Sequence, residues 1–281
     1  IFVVNARSGK VDIIDANLLD NAAEATAPLA LNNLDKLGEL DVAKDVGLSF
    51  MGSVNSVSIY GNLLAAAIER GDAAGNKTQA NGYVAFYQLN GNETPQYLSA
   101  VEVGALPDNV VFSHDGKTVL VANEGEPNQD YSIDPEGGVA IIAIADGKPA
   151  ATATLVTFTE FNQGNARYNE ITKDIKINGP MATVAQDLEP EYISVSPDNS
   201  RAFVSLQENN VIAVIDIANA KVTKILPLGL KDYGFDVNKI DASDKDDMVN
   251  LQAYAGVYGM YQPDTVASYR WNNTDFIVTA N

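Results

Sequence analysis

Short apolar segments and polar turns alternate along the chain in one recurring order. Residues 106–124 and 188–208 both run through an acidic residue beside Pro, a short apolar strand, a Ser-x-Asp-Gly/Asn turn, a second apolar strand and an acidic cluster. A fixed repeat of several short strands is typical of β-propeller blades. The pattern therefore predicts an all-β protein, a β-propeller of four-stranded antiparallel blades.

Two further strands are predicted in each repeat. The third is apolar and β-branched, as buried strands are, and it is expected at 11–15, 83–89, 139–144 and 211–217. The fourth has the mixed polarity of an outer strand that faces solvent, and it is expected at 37–42, 97–103, 151–158 and 221–228. The turn between the first two strands needs a left-handed residue, which Gly116 and Asn199 supply.

We expect a single propeller domain over residues 1–281, with two long insertions at about 159–187 and 230–262. Loops of this length are usually functional or bind partners, and a lid without chemistry is the alternative. Short helices are predicted at 246–254 and 17–33. The chain begins and ends within equivalent strand motifs. We therefore expect a partial or truncated propeller rather than a small closed ring, with exposed blade edges that can join an extracellular assembly.

The charge pattern narrows the choice of partners. The formal net charge is −19 at pH 7, which repels nucleic acid and anionic membranes and favours cations or basic partners. Solubility alone is the alternative explanation. The chain has no Cys, so disulfides and thiolate metal sites are excluded. No apolar run is long enough for a transmembrane helix, so no membrane span is expected.

Acidic residues recur in two loops of each repeat. In a propeller blade, the loop before the innermost strand and the loop between the second and third strands lie at the same end, so we expect these acids to meet. Calcium takes about six to eight oxygen ligands from such groups. The loop-holding role of acids in turns, which accept backbone N–H bonds, is the alternative. The candidate cation ligands are Asp108, Glu124, Glu126, Glu191, Glu208 and Asp264.

Other catalytic and metal motifs are missing from the sequence. His114 is the only histidine, and its place in a repeat turn predicts a turn residue rather than a catalytic one, so no zinc site is expected. The Asp-rich run at 241–247 lacks the Gly and terminal Glu of an EF-hand. There is no Gly-x-Ser-x-Gly elbow and no phosphate-binding Gly loop. Two-carboxylate glycosidase chemistry stays open, because the separation of the acidic pairs is unknown.

Several longer motifs resemble one known family. They are Leu-Pro-Asp-Asn-Val at 106–110, Ala-Asn-Glu-Gly-Glu-Pro at 122–127, Asp-Leu-Glu-Pro-Glu-Tyr-Ile at 187–193 and Val-Thr-Ala-Asn at 278–281. With these motifs the chain resembles the choice-of-anchor I family of secreted bacterial propellers with YVTN-like repeats. That family is similar to mesenchyme-specific cell-surface glycoproteins associated with calcium mineral. The resemblance implies a secreted, periplasmic or cell-surface protein, and some relatives are labelled alkaline phosphatases.

Three functions follow from the residues and the resemblance together. The first is an extracellular or cell-surface binding module, linked to calcium, with a ligand or protein partner on the acidic channel face. The alternative is a metal-dependent hydrolase of phosphate esters or lactones, in which the metal polarises a substrate oxygen and a carboxylate activates water. The third is a purely structural subunit of an extracellular assembly.

Overall fold

A computed structural model of the chain describes residues 1–16, 36–91 and 93–281. Its body is a series of antiparallel sheets, each built from strands that follow one another in sequence. The all-β, four-stranded blade architecture predicted from the repeat is therefore confirmed. The helix predicted at 17–33 lies outside the described residues.

The first sheet has three strands and is followed by a short helix. The strands are β1 (Phe2–Asn5), β2 (Lys10–Ile14) and β3 (Lys36–Asp41). Helix α1 (Val42–Val46) begins where the Asp41 carboxylate accepts the Lys44 N–H at 3.1 Å. It ends at Gly47, which takes the left-handed conformation. Val42 is fully buried and joins a core shared with the next sheet.

Three blades follow, named blades I, II and III. Blade I comprises β4 (Met51–Tyr60), β5 (Leu63–Arg70), β6 (Asn81–Gln88) and β7 (Gln96–Ala105). Blade II comprises β8 (Pro107–Phe112), β9 (Thr118–Asn123) and β10 (Gly138–Ala145), with an outer strand split into β11 (Lys148–Pro149) and β12 (Thr154–Thr157). Blade III comprises β13 (Pro190–Val195), β14 (Arg201–Leu206), β15 (Val211–Asp216) and β16 (Lys221–Pro227).

The middle strands of the blades are apolar along most of their length. In β5 every residue except Arg70 is buried, and β9, β14 and β15 follow the same trend. A strand covered on both faces by neighbouring blades has no polar side to present, so it shows a continuous apolar run instead of an alternating one. The core consequently lies between blades, where apolar residues of I and II, and of II and III, form two shared clusters.

The innermost strands of successive blades are joined sideways by side-chain hydrogen bonds. The Val110 N–H donates to Ser56 Oγ at 3.2 Å, and the Ile193 N–H donates to Asn109 Oδ1 at 3.1 Å. These bonds link β4 to β8 and β8 to β13. The inner strands thus stand side by side and the sheets radiate from them, which is the blade arrangement of a propeller.

The 159–187 insertion is ordered and packed into the core. It contains two 3₁₀ turns (Thr159–Phe161 and Tyr168–Glu170) and helix α2 (Val184–Asp187). Thr183 and Gln186 close a capping box at the start of α2. α1 and α2 are each about one turn long, and in the described part of the chain no helix could span a bilayer.

The 230–262 insertion is an extended hairpin. Strands β17 (Leu230–Asp232) and β18 (Tyr258–Met260) pair at its base, and an isolated bridge joins Ile240 to Gln252 further out. The helix predicted at 246–254 is wrong. Asp247 has a φ of +56°, which no helix accepts, and the bridge holds the backbone extended where the helix would need to coil.

A final strand pair and the turns complete the described fold. Strands β19 (Thr265–Trp271) and β20 (Thr274–Ala280) pair with each other, and β19 lies beside β13. Gly116 and Asn199 have φ of +69° and +60° in the turns where the sequence predicted left-handed residues. His114 lies in the first of these turns, as predicted, with Nε2 at 3.0 Å from the Val195 carbonyl oxygen.

The hairpin connectivity gives every blade two distinct ends. The turn between the first and second strands and the turn between the third and fourth lie together at what we call the turn end. There Gly61, Gly116 and Asp146 line one pocket. The remaining loops lie at the other end, which we call the acidic end.

Candidate functional site

Irregularities in strand pairing set the orientation of the acidic residues on the innermost strands β8 and β13. The pairing of β8 with β9 shifts register over residues 107–110, and that of β13 with β14 shifts over 190–192. Such bulges leave an extra residue unpaired and redirect its side chain. Asp108 and Glu191 lie in these two bulges, so the backbone itself presents both carboxyl groups at the acidic end.

A tightly packed loop presents Glu124 and Glu126. The Glu124 N–H donates to the Leu106 carbonyl at 2.9 Å. Gly125 follows with a φ of +70°, and a Cβ there would stand 2.7 Å from the Gly137 nitrogen. Only glycine fits this approach of the outgoing and returning chain, so the two acids on either side of it are held in place.

The carboxyl groups of Asp108 and Glu191 lie in the fields of other acids. Burial raises the pKa of Asp108 to about 6, and the nearby charges of Glu69 and Asp264 add to the effect. Burial likewise raises the pKa of Glu191 to about 7, reinforced by Asp108, Glu208 and Asp264. Both acids therefore keep their protons to a higher pH than an ordinary carboxyl group does, because burial and like charges disfavour a carboxylate.

Glu124 and Glu189 show the same effect more strongly. Burial raises the pKa of Glu124 to about 8, with contributions from Glu126 and Glu191. Burial also raises the pKa of Glu189 to about 8, and the nearby charge of Glu208 adds to the effect. Glu189 lies beside Pro190 in the same motif as Glu191 but is not among the six candidate ligands.

All six candidate ligands lie at the acidic end, as the repeat predicted. Each of them carries a raised pKa or raises that of another member, so none is isolated from the group. Their role as cation ligands stays a prediction. The six are Asp108, Glu124, Glu126, Glu191, Glu208 and Asp264.

A pocket of about 330 Å³ opens beside this group, between the loop after β9 and the 159–187 insertion. We call it the acidic pocket. Two of its carboxylate oxygens, Asp134 Oδ1 and Glu208 Oε2, are buried and have no hydrogen-bond partner. A buried oxygen without a donor is costly, so this pocket offers two acceptors to a ligand. Its acids are Glu124, Glu126, Asp134, Asp187, Glu189 and Glu208.

Asp187 differs from the other acids of the pocket because its carboxylate oxygens accept several hydrogen bonds. Its carboxylate accepts the backbone N–H groups of Asn178, at 2.8 Å, and of Gly179, and it also accepts Nδ2 of the fully buried Asn209 at 3.0 Å. These bonds fasten the insertion to blade III. Asp187 is therefore a structural acid that shapes the wall of the acidic pocket.

The basic side chain of Lys77 reaches into the acidic end. Lys77, in the loop between β5 and β6, forms an ion pair with Glu126. Its charge lowers the pKa of Asp108 and of Glu124 against the larger effect of burial. Lys77 is not among the site residues predicted from the sequence. The available signal was a lysine in the loop of blade I that corresponds to the acidic loop of blade II.

The donor chemistry of this end fits a hard cation, because carboxylate oxygens are the ligands that calcium prefers. These carboxylates lie farther apart than the ligands of a complete metal site do. Among residues 1–16, 36–91 and 93–281, no three Asp, Glu or His side chains are gathered closely enough to hold a metal ion. An ion at this end would therefore need water to complete its coordination.

A sequence profile of the choice-of-anchor I domain matches residues 4–281. The chain belongs to the choice-of-anchor I family. The resemblance drawn from the motifs is thereby confirmed, and the match runs through every blade of this family member. No curated protein matches the sequence.

Solved structures with a similar fold are distant in sequence. Hydrazine synthase of Kuenenia stuttgartiensis is 16% identical with a TM-score of 0.46, and the match covers 81% of this chain and 46% of that one. A periplasmic gluconolactonase of Pseudomonas aeruginosa is 20% identical with a TM-score of 0.40, covering 58% and 39%. A putative 6-phosphogluconolactonase of Bacteroides fragilis is 12% identical with a TM-score of 0.42, covering 88% and 53%. The choice-of-anchor I chain thus spans about half or less of each.

Proposed function

We propose that this domain is an extracellular or cell-surface binding module whose acidic end binds calcium and, with it, a ligand or protein partner. One observation carries the proposal. Acids from three consecutive repeats meet at one end of the blades, and the acidic pocket there holds two buried carboxylate oxygens without hydrogen-bond partners.

A divalent cation would relieve the repulsion among these acids. Four carboxyl groups have pKa values raised to between about 6 and 8, each through burial first and neighbouring acids second. A bound cation stabilises the ionised forms and so offsets part of that cost. Calcium also tolerates water and irregular geometry in its coordination sphere, which suits a loosely spaced set of donors.

The wide spacing of the carboxylates predicts a weak calcium site, which is consistent with an extracellular location. A calcium site with several water ligands is weak, and we expect a dissociation constant of about 10⁻⁴–10⁻³ M, the range of extracellular calcium modules. Membership of the choice-of-anchor I family and the absence of cysteine are both compatible with a secreted or surface location. The 159–187 insertion, which borders the acidic pocket, is the segment best placed to contact a partner.

Calorimetric titration with calcium, paired with thermal melts, tests the proposal. The wild type should bind saturably and melt at a higher temperature with calcium, since a ligand that binds only the folded state stabilises it. The double variant Glu124→Gln/Glu191→Gln should lose affinity by about tenfold or more, because two of the donors and their charge are removed.

The matched control removes the same charge from the turn end. Glu93→Gln/Asp146→Asn changes two exposed acids in turns between third and fourth strands, and its calcium affinity should stay within about twofold of wild type because the charges are distant and screened. Absence of saturable binding in the wild type, or equal loss in both double variants, would contradict a calcium site at the acidic end.

Hydrolysis of phosphate esters or lactones is the second candidate. It is favoured by carboxyl groups that titrate near neutral pH in a cleft, as general acids and bases do. With calcium present, turnover of a lactone or an aryl phosphate that disappears in Glu124→Gln/Glu191→Gln would support this activity. Binding without turnover would leave the module as a binding protein.

A further inference from the structure

The loop that carries Lys77 is rigid at its base. The Asp72 carboxylate accepts the N–H groups of Ala74, at 2.8 Å, and Asn76, at 2.9 Å, as well as Nδ2 of Asn76 at 3.0 Å. Lys77 itself forms an isolated backbone bridge with Gly71. Its Cα is therefore fixed beside the acidic end, and only the four-carbon side chain decides where the positive charge lies.

The side chain makes a bond that can be exchanged. Its ammonium group pairs with Glu126 across the gap from blade I to blade II. The two side chains are 47% and 39% exposed, and ion pairs so open to water contribute little net free energy because solvent competes for both charges. Release of Lys77 from Glu126 is accordingly easy, and the ammonium can move into solvent without leaving a buried charge behind.

Two other basic side chains of blades I and II contact different groups. Arg70, seven positions earlier in blade I, lies over the ring of Tyr83 at 6.0 Å from its centroid. Lys117 lies at the turn end near Asp115. Lys77 instead places its ammonium group against Glu126, an acid of the acidic pocket, where it neutralises charge that a bound cation would otherwise neutralise.

We propose that Lys77 is a built-in counter-cation that competes with the external cation for Glu124 and Glu126, and so sets the affinity of the acidic end. This inference rests on the proposed function. In the unliganded protein the ammonium group partly neutralises the cluster. A calcium ion that binds the same carboxylates displaces it into water, so the site fills only where calcium is abundant.

Calcium titration of three variants beside the wild type tests the competition. Lys77→Met removes the charge and keeps a similar side-chain length, whereas Lys77→Arg keeps the charge. Lys117→Met is the matched control, because it removes one positive charge from a side chain that is 79% exposed at the turn end. Melting temperatures without calcium establish that all four proteins fold.

We expect Lys77→Met to bind calcium about three- to tenfold more tightly, the effect of removing one nearby unit charge in a hydrated site. Lys77→Arg and Lys117→Met should stay within about twofold of wild type. In wild type, calcium should also shift the NMR signal of the Glu126 carboxyl carbon, as its partner changes.

The two possible failures can be told apart. If the wild type binds calcium and Lys77→Met binds it equally or more weakly, the competition is overturned while the calcium site stands. If none of the four folded proteins binds calcium, the proposed function is overturned and the competition with it. If Lys117→Met gained as much calcium affinity as Lys77→Met, the gain would come from the net charge of the protein, and the role of Lys77 would also be overturned.

Discussion

Asp115 and Asp108 lie at opposite ends of strand β8 and show opposite electrostatics. At the turn end, the Ser113 hydroxyl donates to Asp115 at 2.7 Å and the Lys117 N–H donates at 3.1 Å. These hydrogen bonds lower the pKa of Asp115. At the acidic end, burial raises the pKa of Asp108 to about 6, with Glu69 and Asp264 adding to the increase.

The same contrast recurs in blade III. Hydrogen bonds from Ser200, Arg270 and Ser196 lower the pKa of Asp198 at the turn end, while burial raises that of Glu191 at the acidic end. An acid whose lone pairs are filled by nearby donors holds a turn together. An acid that is buried among like charges destabilises the fold unless something outside the chain binds it. In blades II and III, the acids of the repeat turns are thus structural, whereas Asp108 and Glu191 at the acidic end are candidate binding acids.

The pH dependence of stability tests this contrast with the largest expected effect. Four acidic-end carboxyl groups have folded-state pKa values of about 6 to 8, above the values near 4 of unfolded chains. Between these limits the folded state holds protons that the unfolded state has released, so the stability that these four groups contribute is full below about pH 4 and falls as the pH rises. We expect the melting temperature to drop by about 5–10 °C from pH 5 to pH 9.

Two comparisons sharpen this measurement. Glu124→Gln/Glu191→Gln should flatten the slope between pH 5 and pH 9, and so should saturating calcium. The turn-end acids act in the opposite sense, because their lowered pKa values contribute stability that is lost only as the pH falls below about 4. A melting temperature that rises from pH 5 to pH 9, or an unchanged slope in the double variant, would contradict the raised pKa values.

Gly116→Ala should break the turn end while leaving the acidic end intact. Gly116 has a φ of +69°, and a Cβ there would lie 2.1 Å from the Tyr60 ring. We expect a loss of about 2–4 kcal/mol in the free energy of unfolding, from overpacking and left-handed strain together. Chemical denaturation measures the loss, and calcium affinity of the folded fraction should not change.

Gly147→Ala is the matched control for this substitution. Its φ is +70°, yet nothing lies within 4 Å of the added Cβ. Only the left-handed strain remains, and the expected loss is about 1 kcal/mol. Equal losses in the two variants would show that the contact with Tyr60 is unimportant.

His114→Ala should have the smallest effect. The exposed imidazole has Nε2 at 3.0 Å from the Val195 carbonyl oxygen, which joins the turn of blade II to blade III. Loss of one such hydrogen bond at an exposed site should lower the free energy of unfolding by about 0.5–1 kcal/mol. Calcium binding should be unchanged by calorimetry. A lost or strongly weakened calcium response would mean that the lone histidine belongs to the binding function.

The blades could be predicted from the sequence because their strands and turns depend on residues close together in the chain. Apolar runs bounded by turn residues predicted the strands, and Gly116 and Asn199 marked turns that require a positive φ. The gathering of acids at one end followed from hairpin connectivity alone. The helix at 246–254 failed because composition favoured it locally while the pairing of Ile240 with Gln252 imposed an extended chain, and a pairing between distant residues leaves no local pattern.

Which residues of the acidic end are structural and which are free to bind a ligand could not be predicted in the same way. Asp187 and Glu189 are acids two positions apart, yet the Asp187 carboxylate accepts hydrogen bonds from Asn178 and Asn209, whereas burial raises the pKa of Glu189 to about 8. That difference depends on how the 159–187 insertion folds back over blade III. The reach of Lys77 to Glu126 likewise depends on the distance between two blades, which no sequence spacing reports.

The register shifts at the start of the inner strands have a consequence for how such proteins diversify. Asp108 and Glu191 are presented by extra backbone residues, not by packing of their own side chains into the core. Exchanging either residue therefore alters the chemistry of the shared surface and spares the scaffold. Because blades II and III each contribute such a position, the chemistry of the shared surface can change in one blade without a change in the packed strands of the other.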